Sequence, residues 1–264
     1  MKPRILISIV VFMAVLFFPA SILADIDHVM TVNPSSFSPI SPILYGIFFE
    51  DINHAVDGGL YAELVRNRSF EHTDHMEGWS VILDKGCKAS FSIKSERPVN
   101  GNNTHYLSFD IESDDGCVIL ANNGYDGIPL VWGENYTFSS LIRGDEYNGE
   151  IEVHLIDEQG NSIIAAVLGS DFDDLWEKYS VILEVPEDCQ YGRLALIVKG
   201  SGLISLDMIS LLPDKNWHGM RPDLLEMLEE LRPGFLRFPG GCLVEGESLE
   251  NSYRWKDTIG AAEE

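Results

Sequence analysis

Apolar and polar positions change rhythm three times along this chain, and each change predicts a different kind of element. The first 24 residues, MKPRILISIVVFMAVLFFPASILA, place Lys2 and Arg4 before an unbroken apolar stretch from Ile5 to Phe18, followed by Pro19 and small residues. That order is the pattern of a secretory signal, with cleavage expected after Ala24. The alternative is an uncleaved anchor, although the run is shorter than the ~20 residues a membrane span needs. From Asp25 to Asp74 a Ser/Pro-rich lead gives way to ILYGIFF, Ile43 to Phe49, a continuous apolar run. Such a run predicts a strand buried on both faces, as in a parallel sheet. A polar turn, EDINHAVDGG, then leads to LYAELVRN, where Leu60 and Leu64 share one helical face. The unit reads as strand, loop, helix.

Between His75 and Pro213 the period shortens to two. YLSFDI, YTFSSLIR, IEVHLI, YSVILEV, RLALIVKG and LISLDMISLL are separated by Gly, Asn and Asp. The spacing predicts about nine strands in an antiparallel β-sandwich. From Asp214 to Glu264 the helical period returns. RPDLLEMLEELRPG predicts a helix with Pro222 in its first turn and Asp223 and Glu226 at its positive end. Leu224, Leu228 and Leu231 form its apolar stripe, with Leu225 beside it, and Pro233-Gly234 ends it. FLRF then predicts a second buried strand.

The fold class that follows is α/β plus all-β, a sandwich inserted into a parallel α/β fold. In such folds the ligand lies at the C-terminal ends of the strands. The first strand ends at Glu50-Asp51 and the second at Pro239-Gly240-Gly241-Cys242. Paired glycines permit a sharp turn and a close approach. Arg237, inside an apolar strand, needs a carboxylate or carbonyl partner. It either braces a carboxylate inside the fold or makes a structural ion pair at a sheet edge. Glu50 is either a solvated loop acid or a ligand-facing carboxylate.

Composition narrows the function classes. The 264 residues are 45% hydrophobic, enough for a sizeable core, and the formal charge is −24. Nucleic acid is excluded as a partner, since phosphate binding needs clustered cations; the acidity otherwise describes a solvated surface. The four cysteines, Cys87, Cys117, Cys189 and Cys242, form no CxxC pair, so no zinc site is expected. Export permits a disulfide, and Cys87 with Cys117 is the candidate pair. His72 and His75 in HTDH read as polar surface, and no metal or cofactor is expected. Trp79, Trp132 and Trp176 are either core residues of the sandwich or platforms for sugar rings.

Two blocks carry a family resemblance. SPILYGIFFEDINHAVDGGLYAELVRNRSFE and MRPDLLEMLEELRPGFLRFPGGCLVEGESLENSYRWKDTIG resemble the two halves of the N-terminal part of α-L-arabinofuranosidases of glycoside hydrolase family 51. The shared features are the Gly-x-Phe-Phe-Glu strand end, the Ile-Asn-His-Ala loop, the Glu-Leu-Val-x-Asn-Arg helix and Arg-Phe-Pro-Gly-Gly-Cys. The loop departs from the family in reading His-Ala-Val-Asp-Gly-Gly, where a small residue usually follows His-Ala. The resemblance implies a (β/α)8 TIM barrel, begun at residues 25–74 and resumed at 214–264. It also implies an inserted jelly-roll, carbohydrate-binding-module-like sandwich at 75–213. The implied enzyme is secreted and removes terminal arabinofuranosyl groups from hemicellulose or pectin with retention. Retention needs two carboxyl groups ~5 Å apart. In the family both are glutamates on later barrel strands, the acid/base following Gly-Asn. By the same resemblance Glu50 accepts a sugar hydroxyl, Arg237 braces the surroundings of the nucleophile, and Cys242 lines the arabinose subsite.

No Gly-Asn-Glu occurs in the chain, and Gly133-Glu134-Asn135 has the reverse order between sandwich strands. The 101 residues outside the signal and the sandwich, 25–74 and 214–264, fall far short of the ~250 of a full barrel. An N-terminal fragment without either catalytic glutamate is therefore expected. Two other readings stay open: a non-catalytic, secreted carbohydrate-binding sandwich, and an exported structural domain without a ligand.

Overall fold

The computed structural model describes residues 30–33, 35, 37–84, 86–112, 117–246, 248–249 and 252–261, without the side chains of Cys117, Cys242, Leu243 and Asp257. The expected signal segment lies outside the described residues. Among those described, no helix is long and apolar enough to cross a membrane. Two compact units divide the chain, Met1–Ser41 and Pro42–Glu264. The described residues of the first hold no helix or strand; the Ser35 amide donates to Asn33 Oδ1 at 3.0 Å.

The second unit is dominated by nine antiparallel strands, where the sequence alternation placed about nine. They are β2 (Trp79–Leu83), β3 (Ala89–Lys94), β4 (Tyr106–Ile111), β5 (Cys117–Asn122), β6 (Ile128–Leu130), β7 (Asn135–Ile156), β8 (Ser162–Gly169), β9 (Glu177–Glu184) and β10 (Cys189–Pro213). The long strands β7 and β10 form a spine, paired from Tyr136 opposite Pro213 to Ile156 opposite Arg193. One end of the spine carries β5, β2 and β8; the other carries β4, β3 and β9.

The spine bends where its register shifts between Ser201 and Leu203. Gly200 and Gly202 there have φ of 113° and 109°. A Cβ on Gly200 would land on the Asn148 carbonyl, and one on Gly149 would land on the Lys199 carbonyl. Glycine is what lets the two strands turn together at so close an approach. The bend folds the sheet over on itself. Leu120, Val153 and Leu196 from one end share a single core cluster with Phe109, Phe138 and Leu206 from the other. Full burial of each such side chain contributes ~1.5–3 kcal/mol.

The remaining elements are small. Strand β1 (Ile47–Phe48) pairs in parallel with β11 (Leu236–Arg237), Ile47 opposite Leu236 and Phe48 opposite Arg237. The Ile47 and Phe49 amides donate to the Phe235 and Arg237 carbonyls at 2.9 and 3.0 Å. The parallel pairing agrees with the apolar runs, but burial on both faces does not. Phe48 is 51% and Leu236 59% exposed. A parallel pair is buried only when helices cover both faces, and among the described residues one helix longer than a single turn exists, α1 (Pro222–Glu230). That helix begins at Pro222 as predicted, with the Arg221 guanidinium on the Asp223 carboxylate. It ends one residue short of Leu231, whose carbonyl accepts the Tyr45 hydroxyl at 2.5 Å. Leu224, Leu225 and Leu228 are half-buried and Leu231 is exposed, so the predicted stripe closes a residue early.

LYAELVRN, predicted as a helix, is not one. Its backbone groups pair with distant segments rather than with their own turn. The Ala62 amide donates to the Gly219 carbonyl at 2.7 Å and the Leu64 amide to the Leu211 carbonyl at 3.1 Å, while the Leu60 carbonyl accepts the Arg221 amide at 2.9 Å. The anchor is Glu63, which is fully buried. Its carboxylate accepts the Ser210 hydroxyl at 2.6 Å, the Leu211 amide at 2.9 Å and the Val65 amide at 3.0 Å. Burial raises its pKa against these hydrogen bonds and the nearby Arg68 guanidinium. Val65 and Phe70 continue from this segment into the core cluster.

Candidate functional site

The two parallel strands end side by side, so the loops after them meet. Gly240 is buried, and a Cβ on it would land on the Phe48 ring. Gly241 has φ 75° and ψ −167°, and a Cβ there would land on the Glu50 carboxylate. The Glu50 carboxylate thus lies against the Gly241 backbone, and the diglycine exists because no side chain fits between strand end and loop. Glu50 itself is half-buried. Directly after Gly241 comes the one-turn helix α2 (Cys242–Glu245), so the Cys242 backbone sits at this junction; its side chain lies outside the described atoms. The Phe238–Pro239 peptide is cis. The Phe238 ring packs 5.6 Å from Phe49 and 6.3 Å from Tyr253, and the Tyr253 amide donates to the Val244 carbonyl at 3.1 Å. The segment after α2 therefore folds back over the loop.

Arg237 departs from expectation. It is exposed rather than buried, and its guanidinium carbon lies 5.0 Å from the centroid of the Phe48 ring. A cation over an exposed aromatic face contributes ~0.5–1 kcal/mol. Its backbone belongs to the ladder that aligns Glu50 with Gly241, so Glu50, Arg237 and the Cys242 backbone are brought to one end of one strand pair.

The loop after Glu50 is held against the nine-stranded fold. The Val56 amide donates to Asp51 Oδ1 at 3.2 Å. The His54 ring lies 4.9 Å from the Tyr125 ring, and a Cβ on Gly58 would land on that tyrosine. Burial is the main cause that raises the Tyr125 hydroxyl pKa.

Trp79 is 8% exposed, donates its indole N–H to the Asn67 carbonyl at 2.9 Å and packs on Phe70, so it belongs to the core and offers no sugar platform. Trp176 is half-buried, with its indole N–H on the Arg97 carbonyl at 2.8 Å and the Arg143 guanidinium 4.9 Å over its ring. Trp132 is 71% exposed. His72 hydrogen-bonds Glu77 at 2.9 Å and His75 hydrogen-bonds the Phe70 carbonyl at 2.6 Å. Cys87 and Cys189 are free thiols, and the Cys117 side chain, the other half of the candidate Cys87–Cys117 pair, lies outside the described atoms. Burial raises the Cys87 pKa.

Sequence reading missed several buried polar residues, among them Glu63, Asn103 and Asp207. Asp207 is fully buried, accepts the Met208 amide at 2.7 Å and the Asn103 side-chain amide at 3.0 Å, and burial pushes its pKa up to about 8. The available signal was a charged residue interrupting the alternation in LISLDMISLL.

Strand-end loops bearing an acid and a diglycine, held against a β-rich fold, invite comparison with glycoside hydrolases. Residues 227–264 match the family model described as an alpha-L-arabinofuranosidase 1 domain. The chain is 36% identical over 257 residues to an extracellular exo-alpha-L-arabinofuranosidase of Streptomyces chartreusis, covering 90% of this chain and 30% of that protein. It is 37% identical over 244 residues to alpha-L-arabinofuranosidase 1 of Arabidopsis thaliana, covering 86% and 35%. A solved arabinose-bound GH51 α-L-arabinofuranosidase superposes with a TM-score of 0.74 at 28% identity, over 83% of this chain and 38% of that one. The chain spans about a third of the length of the relatives it matches. These findings support the chain as an N-terminal portion of a glycoside hydrolase family 51 α-L-arabinofuranosidase.

Proposed function

We propose that this chain supplies part of the sugar pocket of a secreted, retaining α-L-arabinofuranosidase. Its β1 and β11 are adjacent strands of a TIM barrel, and its nine-stranded fold is a carbohydrate-binding-like sandwich inserted between them, at about residues 75–213. The substrate is an arabinose-bearing hemicellulose or pectin chain, or an oligosaccharide from one. The observation that carries this reading is the Glu50 carboxylate against Gly241, at the shared C-terminal end of two parallel neighbours. That is where an α/β barrel presents its ligand site.

A carboxylate there accepts hydrogen bonds from sugar hydroxyls, and the backbone at Gly241 and Cys242 leaves room for a ring to approach. Arg237 contributes positive charge at the same strand end. The proton transfers and nucleophilic attack of retention need two further carboxyl groups, which we assign to glutamates outside this chain. The expected route to the substrate is export, in line with the extracellular Streptomyces relative.

The test is Glu50→Gln in the enzyme that carries this segment, assayed on an aryl α-L-arabinofuranoside. A hydrogen bond to a charged acceptor contributes ~1.5–3 kcal/mol, so kcat/KM should fall by about 10- to 150-fold. Wild-type kcat/KM would remove Glu50 from the site. Release of the inverted anomer, read by proton NMR, would overturn retention.

A further inference from the structure

The loop that follows Glu50 is strained. Asn53 and His54 both have positive φ, 52° and 62°. Residues with a Cβ visit that region singly as a rule, because the Cβ crowds the following carbonyl, although asparagine and histidine tolerate it better than most. Two in succession persist only where the surroundings over-determine them. Internal hydrogen bonds supply part of that constraint. The Ile52 amide donates to the Glu50 carbonyl at 2.9 Å, the Ala55 amide to the Ile52 carbonyl at 3.1 Å, and the Leu60 amide to the Ala55 carbonyl at 2.9 Å. Bonds of this kind shape the loop but attach it to nothing outside itself.

The outside contact is Tyr125, in the nine-stranded fold. Its ring lies 4.9 Å from the His54 ring at an interplanar angle of 60°. Gly58, with φ 78°, approaches the same ring so closely that a Cβ would land on its carbons. One aromatic side chain therefore bears on both ends of the turn from His54 to Gly58. Tyr125 is itself well fixed. It sits in the short connection between β5 and β6, where the Gly127 amide donates to the Asn123 carbonyl at 3.0 Å and the Gly124 amide to Asn122 Oδ1 at 2.8 Å. Asn122 is fully buried and also grips the Arg66 backbone, accepting its amide at 3.2 Å and donating to its carbonyl at 2.9 Å. The connection that carries Tyr125 is thus tied to the chain downstream of the loop, while Tyr125 presses on the loop itself.

We infer that Tyr125 is a positioning residue: through it the nine-stranded fold holds the His54–Gly58 turn, and with it the strand end that carries Glu50, in one conformation. The inserted fold is then a working part of the sugar pocket rather than a passenger. The functional half of this inference rests on the sugar pocket proposed above; the structural half does not. The contacts are made by ring carbons, so phenylalanine should serve as well as tyrosine and alanine should not.

The experiment compares Tyr125→Ala with Tyr125→Phe in the enzyme that carries this segment. At saturation the substrate selects the held conformation, so loss of the anchor lowers apparent affinity and spares turnover. Tyr125→Ala should raise KM for an aryl α-L-arabinofuranoside about tenfold with kcat within about twofold, and Tyr125→Phe should keep both at wild-type values. Hydrogen exchange at the Ala55 and Leu60 amides should become about tenfold faster in Tyr125→Ala alone, with β7 and β10 keeping their protection. A general folding defect would instead loosen β10 and lower kcat through the amount of active enzyme. Unchanged exchange at Ala55 and Leu60 overturns the anchor. Faster exchange with a wild-type KM overturns the positioning role, and equal damage from phenylalanine overturns the ring contact. Should Tyr125→Ala not fold, His54→Ala removes the same ring pair from its exposed side and is read in the same way. Exchange needs no catalysis, so an enzyme that released no arabinofuranose would sink the function proposed above while exchange still judged the anchor.

Discussion

Replacing Gly241 with alanine tests the proposed pocket at its tightest point. Two costs add. With φ 75° and ψ −167°, Gly241 occupies a region essentially restricted to glycine, where another residue costs of order 1–3 kcal/mol. The new Cβ also lands on the Glu50 carboxylate, which must turn away. One term opposes these: alanine reduces the freedom of the unfolded chain, worth ~0.4–1 kcal/mol in favour of folding. The expected net loss is about 1–2 kcal/mol, confined to the β1–β11 ladder. Native-state hydrogen exchange reads it directly through the Ile47 and Phe49 amides, which donate across that ladder. Their opening should become about 5- to 30-fold easier, while amides of β7 and β10 keep their protection. A double-mutant cycle isolates the collision. In Glu50→Ala the carboxylate is gone, so adding Gly241→Ala should cost only the backbone part, and the two changes should be non-additive. Unchanged exchange at Ile47 and Phe49, or a strictly additive cycle, would refute the claim that these two residues are packed against one another.

Two further outcomes follow from buried acids. Asp207 has a folded pKa of about 8 against 3.8 when solvated. Between those values the folded state holds a proton that the unfolded state has released, so stability falls as pH rises, by ~1.4 kcal/mol per unit, and levels off above pH 8. Urea denaturation at pH 5 and pH 7 should therefore differ by about 3 kcal/mol from this group, and Asp207→Asn should remove that difference; an identical pH dependence in both proteins contradicts the assignment. Glu63→Ala strips partners from the Ser210 hydroxyl and the Leu211 amide, an expected loss of about 2–6 kcal/mol in urea denaturation at ~1–3 kcal/mol for each buried donor left unpaired, and a loss under 1 kcal/mol would show the segment is not anchored there.

Local patterns were legible where one face of one element decides them. The alternation from YLSFDI to LISLDMISLL sufficed for the nine-stranded fold, because period two is imposed by the pleat itself. Pro222 marked the start of α1 because its missing N–H is harmless only there. The acid and diglycine at the two strand ends marked the candidate site, because glycine pairs signal close approach wherever they occur. Tertiary structure decided the rest. LYAELVRN carries helical spacing, yet two of the donors to Glu63, the Ser210 hydroxyl and the Leu211 amide, are 147 and 148 residues away, and no local window contains them. A buried carboxylate must find its donors wherever the chain brings them, and that requirement overrides a modest helical preference. Arg237 looked like a buried charge because its neighbours are apolar; with the described layers leaving β11 exposed, it lies over Phe48 instead. The contact of Glu50 with Gly241, and that of the Asn103 side chain with Asp207, likewise arise only when segments distant in sequence are packed together, because both depend on which atoms fill a given volume rather than on the order of residues along the chain.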